Sequence, residues 1–284
     1  MPFSLRSTLQ CGQLFRWKER EDWWYGIVGQ QAFKIQQVND VLKFKGRTID
    51  FMKNYFRLDD DLQCIGSRIG RDSLVKKAVH AFYGLRIVRQ DPWECLVSYV
   101  CATYKNIPAI KGMIFELSKR FGERITFEKY DFYTFPRPEE LARAALDDLM
   151  RCGLGFRAIR IREIARMINR HNDIETYFQA LKEASYESAR NQLLQLPGVG
   201  YKVADCVLLF SLEKLEAFPI DVWIKRIIQR HYIDHFERSF IQKLLGQPGL
   251  SSKDYKKISS FARDYFGEYA GYAQEYLFHY YRSG

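Results

Sequence analysis

The chain has 284 residues, enough to bury a sizeable core as one large domain or two ordinary ones. Hydrophobic residues at 47% and charged residues at 27% exclude a chain without a packed core, and the 15% aromatic content is unusually rich. A net charge of +10 and a pI near 9.2 suit a polyanionic partner, because Lys and Arg gain affinity by releasing counterions from phosphates, although a merely solvated basic surface fits the charge equally well.

From about residue 13 to 48, polar and apolar positions alternate in four segments: Gln13-Leu-Phe-Arg-Trp17, Trp23-Trp-Tyr-Gly-Ile-Val28, Ala32-Phe-Lys-Ile-Gln36 and Val41-Leu-Lys-Phe44. Polar turns at Gly29-Gln-Gln31 and Val38-Asn-Asp40 separate them, so the pattern predicts an antiparallel meander. A helix is expected near Asp50 to Phe56. From roughly residue 72 the spacing becomes helical, broken at Asp91-Pro92, Pro136-Arg-Pro138, Gly153-Leu-Gly155, Phe218-Pro219 and Gly246-Gln-Pro248-Gly249. The expected class is α+β, with a β-rich antiparallel-sheet domain over 1–85 and a mainly helical domain over 86–284.

A further break, Leu196-Pro-Gly-Val-Gly200, is followed at once by Tyr201-Lys202. Both glycines tolerate positive φ and Pro197 fixes its own, so the chain can reverse between two helices. This predicts a helix-hairpin-helix near 190–213, its second helix beginning near Tyr201 with unpaired N–H groups and the positive dipole end facing outward. A phosphate can bind there without sequence readout.

Taken alone, Lys202 needs to be no more than a phosphate contact. Asp221, in Phe218-Pro-Ile-Asp221 ahead of the amphipathic run Val222-Trp-Ile-Lys-Arg-Ile-Ile228, is explained by N-capping alone. Together they point to more, since an acid at a helix end beside a first-turn lysine can assist its deprotonation and support positive charge on a sugar.

The cysteines at 11, 64, 95, 101, 152 and 206 are too dispersed for a metal knuckle or a compact disulfide framework and read as reduced. No secretory leader is recognisable, and Cys206-Val-Leu-Leu-Phe210 is far too short to cross a bilayer. The expected compartment is the cytoplasm or nucleoid of a prokaryote, or the nucleus of a eukaryote.

Hairpin, Lys202 and Asp221 resemble the signature of the helix-hairpin-helix DNA glycosylases. Gly12-Gln-x-Phe-Arg-Trp17, Cys152-Gly-Leu-Gly-Phe-Arg157, Leu196-Pro-Gly-Val-Gly-Tyr-Lys-Val-Ala-Asp-Cys206 and Tyr269-Ala-Gly-Tyr-Ala-Gln274 resemble the 8-oxoguanine DNA glycosylase branch, and they span nearly the whole chain. The resemblance implies that double-stranded DNA containing oxidised guanine is the partner and that the damaged nucleotide is flipped out of the stack. It implies that Lys202 attacks the sugar C1′, displaces the base and forms a Schiff base from which β-elimination nicks the strand, with Asp221 orienting and supporting it.

By the same resemblance the backbone carbonyl of Gly12 reads the N7 hydrogen that distinguishes 8-oxoguanine from guanine. Gln274 bonds the base edge, Phe278 stacks on the base and Cys206 lies against its other face. A strand-opening glycine, a core helix and a small buried hydrophobe are the plainer accounts of these residues. Phe156 and Arg157 match a wedge and a contact to the opposite base, where a core phenylalanine beside a surface arginine is the duller account. Gly198 and Gly200 belong to the DNA-gripping hairpin. No metal or other cofactor enters the implied chemistry, although hairpin carbonyls are expected to hold a structural monovalent cation that bridges to phosphate. The implied assembly is a monomer, with no membrane partner.

Three positions depart from the better-known eukaryotic members. Tyr104 stands where they have asparagine and Ala109 where they have arginine, both used around the orphaned cytosine, so weak preference for the opposite base is expected. Trp223 replaces a histidine beside the lesion's phosphate, and an indole N–H replaces one donor without carrying charge. The lack of a clustered cysteine set near the C-terminus separates the chain from iron–sulfur relatives that excise oxidised pyrimidines. Two rival readings stay open here: a glycosylase for alkylated purines, whose positive charge stacked aromatics would hold, and a noncatalytic DNA-binding module that uses only the hairpin.

Overall fold

The computed structural model describes residues 2–171 and 173–283. A short helix α1 (Leu5–Gln10) leads into the strands β1 (Lys18–Arg20), β2 (Trp23–Val28), β3 (Gln31–Val38) and β4 (Val41–Lys45), which pair antiparallel in the order β1-β2-β3-β4. The predicted turns close the meander: Val28 pairs with Gln31 around Gly29 at φ +57°, and Val38 with Val41 around Asn39 at φ +53°. Positive φ at these positions matches the right-handed twist of the flanking strands. Phe33 and Ile35 face inward and pack with Trp17, Trp24 and residues of α2 (Ile49–Tyr55), the helix expected near Asp50, to form a small core.

Helices follow: α3 (Leu62–Ile69), α4 (Ser73–Ala81), α5 (Pro92–Cys101) and α6 (Ile107–Phe121); then a hairpin of β5 (Arg124–Phe127) and β6 (Tyr130–Tyr133). Beyond it lie α7 (Pro138–Arg143), α8 (Leu146–Arg151), α9 (Arg157–Ile168), α10 (Ile174–Glu183), α11 (Tyr186–Leu193) and α12 (Tyr201–Ser211). The last four are α13 (Val222–His231), α14 (Arg238–Gly246), α15 (Ser252–Phe266) and α16 (Ala270–Ser283). Every predicted break falls at an element boundary. Asp91 caps α5 through the Glu94 N–H at 2.8 Å with Pro92 as its first helical residue, where a missing N–H costs nothing.

The structure corrects the sequence reading in three places. Gln13–Trp17 is not a strand: Leu14 and Trp17 drop into the small core while Phe15 enters the large helical one, so this irregular stretch links two cores instead of crossing one sheet. Helices not expected from the sequence, α1 and α3, precede residue 72. The β5–β6 hairpin interrupts the helical region, its turn carried by Glu128 at φ +53°.

The axis of the large core is α12, buried from Val203 to Ser211 and packed between α5 and α11. Inside it the Asp205 carboxylate accepts hydrogen bonds from the Tyr186 and Tyr255 hydroxyls, each at 2.8 Å, tying α11, α12 and α15 together. Burial pushes this carboxyl up to about 6 against the pull of the two hydroxyls. Among the described residues no helix is long and apolar enough to cross a membrane.

Candidate active site

The hairpin forms as expected, with α11 ending at Leu193 and α12 beginning at Tyr201. Its two glycines do different work. Gly198 sits at φ +82°, and a Cβ there would come within 2.4 Å of Arg160 Cδ, so both conformation and space require glycine. Gly200, by contrast, has φ −95° and ψ 178°, ordinary extended backbone, and a Cβ would meet nothing within 4 Å. Both glycines tolerate positive φ, and only Gly198 uses it. Gly200 is the N-cap of α12 and supplies no side-chain cap, which leaves the first-turn N–H groups open to an anion approaching the backbone.

Lys202 is the second residue of α12, and its Nζ stands 4.8 Å from the centroid of the Tyr99 ring. That ring is buried, stacks on Phe210 at 5.5 Å, and donates its hydroxyl to the Gln13 carbonyl at 3.4 Å. One turn on, the Cys206 thiol lies beside the amine. Burial pushes it up to about 12 while the Lys202 charge pulls the other way, so it is a protonated thiol at neutral pH.

Asp221 is the N-cap of α13, its Oδ1 accepting from the backbone N–H groups of Trp223 and Ile224, both at 2.9 Å. Burial holds this carboxyl above its ordinary range, opposed by the two cap bonds and by the Lys202 charge. Lys202, Cys206 and Asp221 therefore share one electrostatic neighbourhood, and the cap that could have explained Asp221 alone coexists with the pull of the Lys202 charge.

Of the residues expected to read the base, Gly12 and Phe278 lie against each other. Gly12 has φ +113°, and a Cβ there would lie 2.6 Å from Arg282 Nη1 and 3.1 Å from Phe278 Cε1. The backbone at this point is fixed by its neighbour: the buried Gln13 amide donates to the carbonyls of Thr8 and Arg86 at 3.0 and 2.8 Å and accepts from the Val88 N–H at 2.9 Å. Gln274 is 5% exposed, and its Oε1 has no hydrogen-bond partner among the described residues. A cavity of about 350 Å³ opens beside Gly12, lined by Ile107, Lys111, His279 and Arg282 among others, without reaching Lys202 or Asp221. Burial and the Arg282 charge lower His279 to about 4, so its imidazole is neutral there.

A second cluster stands apart from the amine. Tyr104 is 91% exposed at φ +55°, on the turn before α6, and Phe156 is 51% exposed at the head of α9. The Arg157 and Arg160 guanidinium carbons lie 4.3 and 4.8 Å from the Phe156 ring centroid, and Arg160 continues to Gly198, linking this aromatic to the hairpin. Arg157 is 3% exposed and not a surface arginine: it donates to the carbonyls of Leu154 and Thr103, bracing the turn that displays Tyr104. Ala109 lies in the first turn of α6, its N–H capped by Asn106 at 3.0 Å. Trp223, half-buried on α13, carries the Arg226 guanidinium carbon 5.2 Å from its ring centroid.

Three residues of the site escaped the sequence reading. Tyr99 gives no local signal as the platform under Lys202. Nor does Glu275, although it neighbours Gln274, whereas Arg282 does, four residues beyond Phe278 on the same helix face.

Comparison with known proteins shows the family. Residues 1–96 match the family model described as 8-oxoguanine DNA glycosylase, N-terminal domain. Residues 102–245 match that of the HhH-GPD superfamily base excision DNA repair proteins. The N-glycosylase/DNA lyase of Saccharomyces cerevisiae is 32% identical over 310 residues, covering 96% of this chain and 82% of the relative. The 8-oxoguanine glycosylase/lyase of Clostridium acetobutylicum, in complex with double-stranded DNA containing cytosine opposite 8-oxoguanine, superposes with a TM-score of 0.85 at 31% identity over 99% of this chain and 92% of that one. MBOgg1 in complex with a low-affinity DNA ligand gives a TM-score of 0.86 at 35% identity over the same shares.

Proposed function

The chain belongs to the HhH-GPD superfamily of base excision DNA repair proteins, and we propose that it removes 8-oxoguanine from duplex DNA and cleaves the strand by β-elimination at the resulting abasic site. The observation that carries this reading is the Lys202 amine at the first turn of the hairpin's second helix, over the Tyr99 ring, beside the Cys206 thiol and with its charge felt by the Asp221 carboxyl.

In this mechanism the hairpin grips the backbone through Gly198 and the open N-terminus at Gly200, and the lesion nucleotide is everted. Phe156 fills the stack it leaves, with Tyr104 beside the orphaned base. Arg157 can address that base only by releasing the Thr103 carbonyl. Gly12 offers its carbonyl to N7–H, Gln274 its unpartnered Oε1 to the Watson–Crick donors, and Phe278 and Cys206 flank the ring. Trp223 presents its indole N–H to the flanking phosphate.

Lys202 Nζ then bonds to C1′ as the C1′–N9 bond breaks with its electron pair on the base. Loss of a proton and opening of the sugar ring give the Schiff base, and removal of a C2′ proton expels the 3′ phosphate. Asp221 stabilises the positive charge that develops at the sugar.

No cofactor takes part in these steps. A structural monovalent cation fits the hairpin turn, where within 194–199 only the Leu196 carbonyl accepts a main-chain hydrogen bond. It would be held by the remaining carbonyls and would bridge them to phosphate. Residues 1–85 contribute Gly12 and the helical unit of 86–284 contributes the rest. The protein acts as a monomer, in the cytoplasm or nucleoid of a prokaryote or the nucleus of a eukaryote.

Borohydride reduction during incubation with a lesion duplex tests the assignment: it traps a covalent adduct with the unaltered protein and none with Lys202→Gln. Absence of any adduct, or one that survives Lys202→Gln, overturns it.

A further inference from the structure

Tyr99 of α5 meets Lys202 in a way that packing alone does not require. Nζ lies over the ring, 4.8 Å from its centroid. Two other rings fix the plane of that ring: Phe210, on the same helix as Lys202, stacks on it at 5.5 Å with planes 12° apart, and Phe15 stands at 71° to it, 5.6 Å away. The Tyr99 hydroxyl donates to the Gln13 carbonyl at 3.4 Å, but the same carbonyl accepts from Gln90 Nε2 at 2.8 Å, the shorter bond. The hydroxyl is thus the dispensable part of the side chain, and the ring face is the part that meets the amine. Burial pushes the phenol well above its usual range and keeps it neutral, so what it offers a cation is the negative face of the ring. Among the described residues Lys202 closes no salt bridge.

The nitrogen carries positive charge in more than one form, and the forms suit an aromatic face unequally. A lysine ammonium is compact and strongly hydrated, so water competes with a ring for it. The Schiff base is planar, alkylated and poorly hydrated, and aromatic faces hold alkylated cations best where water is excluded. Resting on the assignment of Lys202 as nucleophile, we infer that the Tyr99 ring stabilises the iminium formed at Nζ and thereby sets how far the protein proceeds from base release to strand cleavage.

The steps that lead to this cation balance. Nζ bonds to C1′ as the base leaves with the C1′–N9 pair, and the secondary ammonium loses one proton, which neutralises the base. The freed nitrogen pair forms the C=N bond as O4′ leaves C1′ with its own pair and takes a proton from solvent. The iminium is then a branch point, since hydrolysis returns the amine and an abasic site whereas β-elimination cuts the strand. A ring that lowers its energy raises its share and so favours cutting, at a stage when the base has already left.

A duplex with a preformed abasic site removes base reading from the test. Tyr99→Phe keeps the face and should give borohydride adduct within about twofold of the unaltered protein. Tyr99→Leu should trap about 5–10-fold less and nick correspondingly less, as expected when a desolvated cation–ring contact is lost. Its single-turnover release of 8-oxoguanine should change by less than about threefold. Fluorine atoms added one at a time to the ring of Tyr99→Phe drain its face of negative charge at nearly constant volume, so adduct should fall step by step while melting temperature holds. That series carries the inference should Tyr99→Leu fail to fold. Trapping that ignores the fluorines, or excision and trapping that fall together with melting temperature, overturns it. Failure of the Lys202 assignment is distinguishable, because then the unaltered protein traps no adduct or the adduct survives Lys202→Gln.

Discussion

Replacing Asp221 with asparagine separates its two roles. The Oδ1 atom accepts from the Trp223 and Ile224 N–H groups at 2.9 Å each, and asparagine caps a helix as well as aspartate does, so Asp221→Asn keeps both bonds and removes only the charge beside Lys202. For the fold, that charge has two opposing effects. It favours the positive N-terminus of α13 by about 0.3–1 kcal/mol. It is also partly desolvated: a carboxyl whose folded pKa is raised contributes stability below its unfolded pKa and loses it as pH rises through the folded one, so at neutral pH the ionised form is a cost the amide does not carry. The two nearly offset, and Asp221→Asn should melt within about 2 °C of wild type. Asp221→Ala loses the cap, about 1 kcal/mol, and should melt a few degrees lower. In single-turnover excision of 8-oxoguanine both variants should fall by about 10²–10³-fold, the loss typical of one preorganised electrostatic group. If Asp221→Asn stays within about threefold of wild type while Asp221→Ala does not, Asp221 acts as a cap and its electrostatic role is refuted.

Gly198→Ala should destabilise the protein by about 1–2 kcal/mol, because the new methyl meets Arg160 Cδ at 2.4 Å on backbone at φ +82°. Gly200→Ala, with nothing within 4 Å, should leave thermal melting unchanged and weaken binding to every duplex alike, as read in salt titrations; a sequence-selective loss would contradict a phosphate contact. Stability in urea should fall as pH rises from 5 to 8, by up to about 3 kcal/mol more in wild type than in Glu275→Gln, because a carboxyl moved from 4.5 to about 7 by folding binds its proton more tightly in the folded state; a pH-independent difference would contradict that burial. With Ala109 lacking a donor and Tyr104 in place of asparagine, excision rates opposite all four bases should be comparable, and a strong requirement for cytosine in a side-by-side panel would refute this.

The meander, the helix at Asp50, the hairpin and the helix breaks could be read because each rests on local chemistry: alternation, a capping aspartate before proline, a glycine where φ must be positive. Contacts between distant segments could not. Gln13–Trp17 alternates like a strand, yet its apolar residues serve two cores, which no local period records. Arg157 sits among Arg160 and Arg162 in a strip that looks solvated, and only the fold shows its guanidinium turned back onto the Thr103 carbonyl. Glu275 reads as a polar residue on a helix, and nothing in Gln274-Glu275-Tyr276 says that both polar side chains face inward. Gly200 tolerates left-handed backbone without using it, and what its residue type provides is an N-cap with no side chain.

A module that only grips DNA needs the hairpin and its open helix end, and these lie at the surface where desolvation is cheap. It has no use for what lies behind them. Burial raises the Asp221 and Glu275 carboxyls above their ordinary range, and near neutral pH their ionised forms cost the folded state free energy that an apolar residue of similar size would not. Local choices that work against folding persist where function uses them, and here the Lys202 charge acts on both, while the buried Asp205 accepts from two hydroxyls. Gln274 Oε1 and Glu275 Oε1 are left without partners on the helix that carries Phe278. A noncatalytic protein predicts that replacing these buried polar groups with apolar ones raises the melting temperature with no loss of any activity; a reacting amine with an everted base beside it predicts that stability and excision move in opposite directions.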